Sequence, residues 1–520
     1  MSPDVVIVGC GAGGGVLAKE LGEAGLSVVV LEAGRRYDPL EDYPTERTDF
    51  ELRASRVFLP DDPRRDAYTS DPPFFLNRVK GVGGSTLHYV GISPRFHESD
   101  FRVRSLEGVA ADWPIDYAEL EPYYTRVEYE LGVSGPDGAL ANPFEPPRSR
   151  PFPTPPHELT ASSRAVKRGA DALGLHFVPV AVAIPTREWN GRPACIEAGT
   201  CQLGCRIAAK SSIDVTYVPK AEATGRVELR TRATARAVTV GADGKARSVV
   251  YFDEQGREQE VAGRAIVLAG GAVETARLLL LSGLANSSGL VGKCFMEHVS
   301  SFVTGVFPER LEAWRGVPSG ATLQDYYATD RRNAFVRGFT VVMSNHRQWP
   351  LAAARHVPGW GAAHKARLTE LFAHTANVAT IGEALPDERN RIELDPVVRD
   401  LHGLPAPRIV FRLFDNERAM LRTMSARLHE LLRAAGAREV IEDDFLLGNS
   451  SHYMGGCRMG DDPRSSVVDR FCRCHDVPNL FIGDGSVFVT SAAVNPALTI
   501  SALAARTADG IVAAFRRGEL

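Results

Sequence analysis

The sequence predicts an α/β protein with two domains, one discontinuous and built on a parallel sheet, the other built from the segments that separate its parts. The first observation is a pair of short, continuous apolar runs at residues 4–8 and 27–31, which is typical of parallel strands buried on both faces. The second is that similar strand–glycine–helix segments recur near residues 265 and 480. Because such pieces lie at the start, middle and end of 520 residues, we predict that their domain is discontinuous.

The first βαβ unit carries a nucleotide-binding pattern. A glycine turn and a helix, together residues 9–24, join the two strands. Gly9, Gly11 and Gly14 match G-x-G-x-x-G, whose glycines permit a tight turn, close approach of a pyrophosphate and close helix–strand packing. Glu32 ends the second strand, where a carboxylate can accept hydrogen bonds from a ribose. The pattern predicts a dinucleotide site but does not separate FAD from NAD.

Further along the chain, composition and periodicity predict the remaining elements. Proline-rich stretches at 35–77 and 136–156 are predicted to be surface loops. The predicted strands are 226–240, 264–268 and 479–482, and the predicted helices are 272–281, 362–376, 416–435 and 496–516.

Composition and charge limit the possible function classes. The chain is 44% hydrophobic and 24% charged with a formal net charge of −4, which gives no basic field for nucleic acid. No apolar stretch approaches the ~18 residues of a membrane span, and no targeting segment is recognisable. Eight cysteines, mostly unpaired in sequence, suit a reducing compartment. We therefore expect a cytoplasmic protein with no nucleic-acid partner and no membrane span.

Four motif blocks, in order along nearly the whole chain, resemble the glucose-methanol-choline (GMC) oxidoreductase family. They are the loop Gly83-Gly84-Ser85-Thr86, a strand–glycine–helix segment at 265–280, an H-x-x-G-x-C-R-M-G motif beginning at His452, and a closing motif from Gly483 through Asn495-Pro496. The resemblance implies a two-domain flavoprotein with a discontinuous Rossmann-like FAD domain and a substrate domain whose β-sheet covers the flavin. The implied boundaries are 1–100, 205–300 and 447–520 for the FAD domain, and 101–204 and 301–446 for the substrate domain.

The same resemblance implies a catalytic pair and a reaction. His452 would be the base and Asn495 its partner while hydride passes from the alcohol carbon to flavin N5, giving an aldehyde or ketone. An imidazole suits that proton transfer, and an amide can hold the alcohol oxygen. The motifs are closest to pyranose-oxidase-like and gluconate-dehydrogenase-like members, which favours a sugar, polyol or glycoside, including an aminoglycoside-type intermediate. A sterol or long-chain alcohol and a non-redox flavin-containing lyase are the alternatives, and the electron acceptor stays open among dioxygen, a quinone and a redox protein.

The resemblance also implies which residues contact FAD. His88 falls where some members bond the flavin 8α-methyl carbon, but a histidine there can also merely pack against the ring, so both readings stay open. The other implied contacts are Gly83, Gly84, Ser85, Ala235, Gly483, Asp484, Pro496 and Thr499.

Three cysteines need a separate explanation. Cys195, Cys201 and Cys205 lie in a block that resembles one in gluconate-dehydrogenase-like members, some of which hold an iron–sulfur cluster through nearby cysteines. We predict reduced thiols that order a loop and no metal site, with a three-cysteine iron–sulfur cluster or a zinc ion as the alternatives. His298 and the polar stretch 326–337 are expected to line the substrate pocket.

Overall fold

The computed structural model describes residues 2–43, 66–345, 357–443 and 445–520, and it confirms the α/β class. A five-stranded sheet, with every neighbouring pair parallel, joins the start, middle and end of the chain as predicted. Its central strands are wholly buried. From edge to edge the strands are β19 (Leu480–Ile482), β9 (Ala265–Leu268), β1 (Val5–Val8), β2 (Val28–Leu31) and β5 (Val227–Arg230).

Helices of this domain begin at the carboxyl edge of the parallel sheet. Helix α1 (Gly14–Glu23) follows β1 through the first glycine turn, and α7 (Gly271–Ser282) follows β9 through the second. Helix α1 packs against α6 (Ile213–Ala223) and α10 (Ala497–Arg516). The N-termini of α1 and α7 therefore meet at the sheet edge where open α/β sheets bind their ligands.

A six-stranded antiparallel sheet forms the second domain. Helices α5 (Ala161–Ala172) and α9 (Asp415–Ala434) pack against its central strand β14, and α9 also packs against β11. The strand order is β17 (Glu439–Glu442), β11 (Phe302–Val306), β14 (Thr375–Gly382), β13 (Phe339–Met343), β12 (Ala321–Leu323) and β4 (Phe177–Pro179). Several side chains of β11, β13 and β14 line the cavity between the two domains.

The smaller elements include one pair of strands that matters for the site. Strands β10 (Met296–Glu297) and β18 (Tyr453–Met454) pair antiparallel, with Glu297 opposite Tyr453, so the residue after β10 lies beside the residue before β18. The others are β15 (Arg391–Arg399), β16 (Pro405–Val410) and β3 (Thr69–Asp71) in one sheet, β6 (Thr234–Val240), β7 (Ala246–Phe252) and β8 (Glu258–Ala262) in another, and helices α2 (Pro39–Asp42), α3 (Val103–Glu107), α4 (Tyr117–Leu131) and α8 (Ala362–His374).

Three sequence-based boundaries differ from the structure. The strand predicted at 226–240 is two strands, β5 and β6, which join different sheets across a turn where Arg232 has a φ of 53°. The helix predicted at 362–376 ends at His374 because β-branched Thr375 begins β14. The surface loop predicted at 35–77 contains α2 and β3, and its residues 44–65 lie outside the described residues.

Helix α10 corrects the expectation that no apolar stretch approaches the length of a membrane span. Among the described residues it is the one helix long and apolar enough to cross a membrane by length and composition alone. Inside the protein 67% of its apolar window is buried, and it packs against α1 and α4. A core helix of a folded domain meets the same measure.

Candidate active site

A cavity of about 890 Å³ lies between the parallel sheet and the six-stranded sheet. Its floor is formed by the glycine loops that follow β1, β9 and β19 and by the 84–90 segment, and strands β11, β13 and β14 form its roof. His452 and Asn495 line the same cavity. The nucleotide-binding pattern and the predicted catalytic pair therefore open into one space.

The glycine loops meet backbone to backbone around this space. A Cβ added at Gly84, where φ is +54°, would lie 2.9 Å from the Cα atom of Gly11. A Cβ added at Gly13 would lie 1.7 Å from the carbonyl oxygen of Gly483. Side chains at these positions would collide with the backbone of the facing loop, so the glycines allow the loops to approach this closely at the edge of the cavity.

Two buried carboxylates brace the loops. Glu32 accepts a hydrogen bond from the backbone N–H of Cys10 at 2.9 Å. Asp484 accepts from the backbone N–H of Gly271 at 2.9 Å and from the hydroxyl of Thr275 at 2.5 Å, so it holds the start of α7 against the loop after β19. Burial raises the pKa of both carboxyl groups. That Glu32 also accepts from a ribose and Asp484 from the flavin chain stays a prediction.

Most of the predicted FAD contacts lie on the cavity wall. Thr499 does not, because its hydroxyl bonds that of Tyr124 at 2.8 Å in the core. Three predicted contacts also do not line the cavity and lie behind the residues that do: Gly14, Gly83 and Gly483. The predicted contacts that line the cavity are Gly9, Gly11, Glu32, Gly84, Ser85, His88, Ala235, Asp484 and Pro496.

Three side chains form a hydrogen-bonded chain at the end of the cavity where the predicted catalytic pair lies. Asn495 Nδ2 lies 3.0 Å from His452 Nε2, and His452 Nδ1 lies 2.9 Å from His298 Nδ1. His298 Nε2 lies 3.0 Å from the carbonyl oxygens of both Ser491 and Ala492. His298 was expected to line the pocket, but it lies behind His452 and supports it.

The hydrogen-bonded chain determines which nitrogen of each imidazole carries the hydrogen. Because two carbonyl oxygens face Nε2 of His298, that nitrogen carries the hydrogen, and Nδ1 of His298 is an acceptor. Nδ1 of His452 must then be the donor to His298, which leaves Nε2 of His452 with its lone pair. Nε2 accepts from the amide of Asn495. The nitrogen that faces the cavity is thus the one able to take a proton.

Burial keeps both rings neutral at physiological pH. It lowers the pKa of His452 well below 6.5, and the neighbouring His298 lowers the pKa further. Burial lowers the pKa of His298 to about 4. The imidazole of His452 is therefore unprotonated at neutral pH, which is the state that its predicted role as a base requires.

Glu297 fixes the loop that carries His452, a role that the sequence reasoning missed. Its carboxylate accepts from the backbone N–H groups of Gly448 at 3.0 Å and Ser450 at 2.8 Å, and from the Ser450 hydroxyl at 2.6 Å. Burial raises the pKa of Glu297 to about 7. The signal in the sequence was an acidic residue next to a histidine, directly after an apolar run. It could not reveal the partner loop, because Gly448 lies 151 residues after Glu297.

The cysteine segment packs against the roof of the cavity. Cys201 is buried in an apolar cluster with Ile92 and Val342, and Cys195 packs against that cluster. The buried ammonium of Lys210 donates to the carbonyl oxygen of Cys201 at 2.7 Å and to that of Leu87 at 2.6 Å, next to His88. Within the described residues, no group of three or more His, Cys, Asp or Glu side chains is arranged to hold a metal ion. This applies also to Cys205 and the two other cysteines of the segment.

The polar stretch 326–337 does not line the cavity, which corrects the sequence-based expectation. Arg337 instead forms buried ion pairs with Asp100 and, at 2.6 Å, with Glu383. Tyr327 donates to Asp100 at 2.6 Å. Tyr327 and Arg337 thus pair with buried carboxylates outside the stretch and do not face the cavity.

Comparisons with known proteins match most of the chain to one protein family. Two family models, both described as GMC oxidoreductase, match residues 6–300 and 386–504. A solved variant of formate oxidase from Aspergillus oryzae, studied for its FAD modification, superimposes with a TM-score of 0.67 over 99% of both chains at 16% identity. That likeness concerns the fold alone.

Curated relatives match the chain over nearly its whole length. 2-Methyl-1,2-propanediol dehydrogenase of Mycolicibacterium austroafricanum is 35% identical over 98% of this chain and 95% of its own. The fructose dehydrogenase large subunit of Gluconobacter japonicus is 30% identical, covering 100% and 99%. Paromamine 6'-oxidase of Streptomyces fradiae is 30% identical, covering 98% and 91%.

Proposed function

The chain belongs to the GMC oxidoreductase family, and on that premise we propose that it oxidises an alcohol group of a sugar, polyol or glycoside, with His452 as base and Asn495 as partner. The observation that carries the proposal is the hydrogen-bonded chain that leaves a lone pair on Nε2 of His452. Relatives named for a diol, a ketose and an aminoglycoside support an alcohol of this class.

The cofactor of the enzyme is FAD, and the residues of the cavity fit it. The glycine cradle at Gly11, Gly13 and Gly84 brings the loops close together, because a Cβ on Gly13 or Gly84 would collide with the facing loop, and helices α1 and α7 begin at the loops of the cavity floor. The cavity continues from this cradle, past His88, to His452. Bound there, FAD supplies the acceptor for the hydride that leaves the alcohol carbon.

The described side chains can position and deprotonate an alcohol. The amide Nδ2 of Asn495 and Nε2 of His452 are 3.0 Å apart, so an entering hydroxyl can replace their mutual hydrogen bond. Its oxygen then accepts from Asn495 and its hydrogen lies on Nε2 of His452. As His452 takes the proton, Nδ1–H keeps its bond to His298 and holds the ring in place.

Product analysis tests the proposed function. The holoenzyme is incubated with neutral sugars, polyols, glycosides, sterols and long-chain alcohols, with ferricyanide as electron acceptor. We expect a carbonyl product two hydrogens lighter than its substrate from a sugar, polyol or glycoside. Product from sterols or long-chain alcohols alone, or from none of them, would overturn the proposal.

The electron acceptor and the location of the enzyme are further proposals. Dioxygen, a quinone and a redox protein are all compatible acceptors, and the ferricyanide assay can be repeated with each. We propose the cytoplasm as the location, which is supported by eight free cysteine thiols.

We also propose that His88 bonds FAD covalently through the 8α-methyl carbon. His88 lines the cavity, and burial, with a smaller contribution from the Lys210 charge, lowers its pKa to about 3, so the imidazole is neutral and nucleophilic. Acid precipitation is expected to leave the yellow colour in the protein pellet. For His88→Ala, which serves as the control, the colour is expected in the supernatant. Free flavin from the unaltered protein would show that there is no bond.

A further inference from the structure

The roof of the cavity extends well beyond the catalytic pair. Ser300, Phe302 and Thr304 occupy alternate positions of one extended segment, and all three line the cavity. The segment starts two residues after His298, the residue that contacts His452, and runs away from it. At about 3.3 Å per residue, Thr304 lies about 13 Å beyond Ser300.

The strand register arranges the roof in rows. Phe302 lies opposite Ala379, which lies opposite Val342 on the next strand, so the middle row is apolar. Thr304 lies opposite Asn377, and the backbone N–H of Ser344 donates to the carbonyl of Asn377 at 2.9 Å. We call Thr304, Asn377 and Ser344, all of which line the cavity, the outer polar row.

The outer polar row has fixed and complementary hydrogen-bonding groups. The hydroxyl of Thr304 donates to Asn377 Oδ1 at 2.7 Å, and the two residues are only 8% and 7% exposed. That bond uses the hydroxyl hydrogen of Thr304 and one lone pair of Asn377 Oδ1, so the lone pairs of Thr304 and the NH₂ hydrogens of Asn377 are the groups that a ligand can bond. The backbone N–H of Asn377 donates to Asn345 Oδ1 at 3.2 Å, which holds the strand in place.

We propose that the outer polar row is a second substrate subsite that binds a neutral, hydroxyl-bearing group far from the reacting carbon. The inference rests on the proposed function and narrows its substrate class to glycosides with a second ring or an equally long polyol. One pyranose ring cannot span the distance of about 13 Å between Ser300 and Thr304, the latter in the outer polar row, whereas two linked rings can. The apolar middle row suits the C–H faces between the two polar ends.

The composition of the row disfavours two other substrate classes. None of its three side chains carries a charge, so an amine-bearing unit placed on the row would have to reach Asp443, which lines the cavity beside Phe302, for a carboxylate partner. A long alkyl chain would cover the NH₂ group of Asn377 without accepting a hydrogen bond from it, which costs free energy for an unpaired buried donor. A neutral hydroxylated unit pairs with both residues.

The test compares one-ring and two-ring alcohols in the holoenzyme. Anaerobic stopped-flow reduction of the flavin gives the dissociation constant and the limiting reduction rate for a monosaccharide and for its neutral disaccharide. We expect the wild type to bind the disaccharide about tenfold or more tightly, the size of two neutral hydrogen bonds. The double variant Thr304→Val, Asn377→Leu is expected to lose that preference while its constants for the monosaccharide stay unchanged.

A matched control separates the subsite from general destabilisation. Thr239→Val removes another cross-strand hydroxyl, bonded to Ser248 at 2.6 Å between β6 and β7. Neither residue lines the cavity, so this variant is expected to keep the preference. Equal constants for both sugars in the wild type, or an unchanged preference in the double variant, would overturn the subsite alone. A flavin that no alcohol bleaches would overturn the proposed function and the subsite with it.

Discussion

His452→Ala is expected to slow reduction of the bound flavin by an alcohol by about 10²–10⁴-fold, the usual contribution of a positioned general base. Nε2 of His452 carries the one lone pair that the hydrogen-bonded chain directs at the cavity beside Asn495. Without it the hydroxyl proton has no positioned acceptor beside Asn495. The measurement is the limiting rate of anaerobic flavin bleaching in a stopped-flow spectrometer.

Flavin content provides the first control for this prediction. The variant is expected to purify with its yellow colour, because the glycine cradle at Gly11 and Gly84 is untouched. His176→Ala is the matched control, since this exposed histidine pairs with Asp325 far from the cavity and is expected to leave the rate unchanged. A His452→Ala protein that bleaches at the wild-type rate would remove His452 from the reaction.

His298→Leu is expected to lower the flavin reduction rate on the order of 10²-fold, although His298 lies behind His452 and does not line the cavity. His298 accepts the hydrogen from Nδ1 of His452 and thereby keeps Nε2 free of a proton. Leucine offers no acceptor, so the other tautomer, with its hydrogen on Nε2, becomes populated. Rate and substrate dissociation constant are measured separately, and the change is expected in the rate.

A glutamine at this position distinguishes proton placement from packing. His298→Gln can accept from His452 through its carbonyl oxygen and donate to the Ser491 or Ala492 carbonyl through its NH₂ group, so we expect it to recover most of the rate. Thermal unfolding and flavin content check that all variants fold. If the leucine and glutamine variants lose the same activity, His298 acts only by filling space.

Local patterns explain why so much of the parallel sheet could be predicted. Strands β1, β2 and β9 are continuous apolar runs next to glycine turns, and each signal fits within about ten residues. The nucleotide loop depends on the same local chemistry, and its glycine turn lies between β1 and α1 as predicted. Strand 226–240 was predicted as one element because its alternation continues across the turn at Arg232.

The contacts that control the catalytic pair could not be predicted in the same way. His298 and His452 are separated by 154 residues, and only the pairing of β10 with β18 brings them together. The outer polar row depends likewise on the register of β11 against β14, which places Thr304 opposite Asn377. Thr304 and Asn377 do not stand out in the sequence. A threonine or an asparagine in a strand can bind a ligand only when its sheet faces a cavity, and the sequence does not show which strands do.

The most direct test of the account is the visible spectrum of the purified holoenzyme, held anaerobically, before and after addition of a neutral glycoside or polyol. Alcohol oxidation at the cavity beside His452 predicts that the oxidised flavin band disappears and that one carbonyl product forms for each flavin bleached. A flavin band that persists with every sugar, polyol and glycoside, while sterols or long-chain alcohols bleach it or no alcohol does, would contradict it.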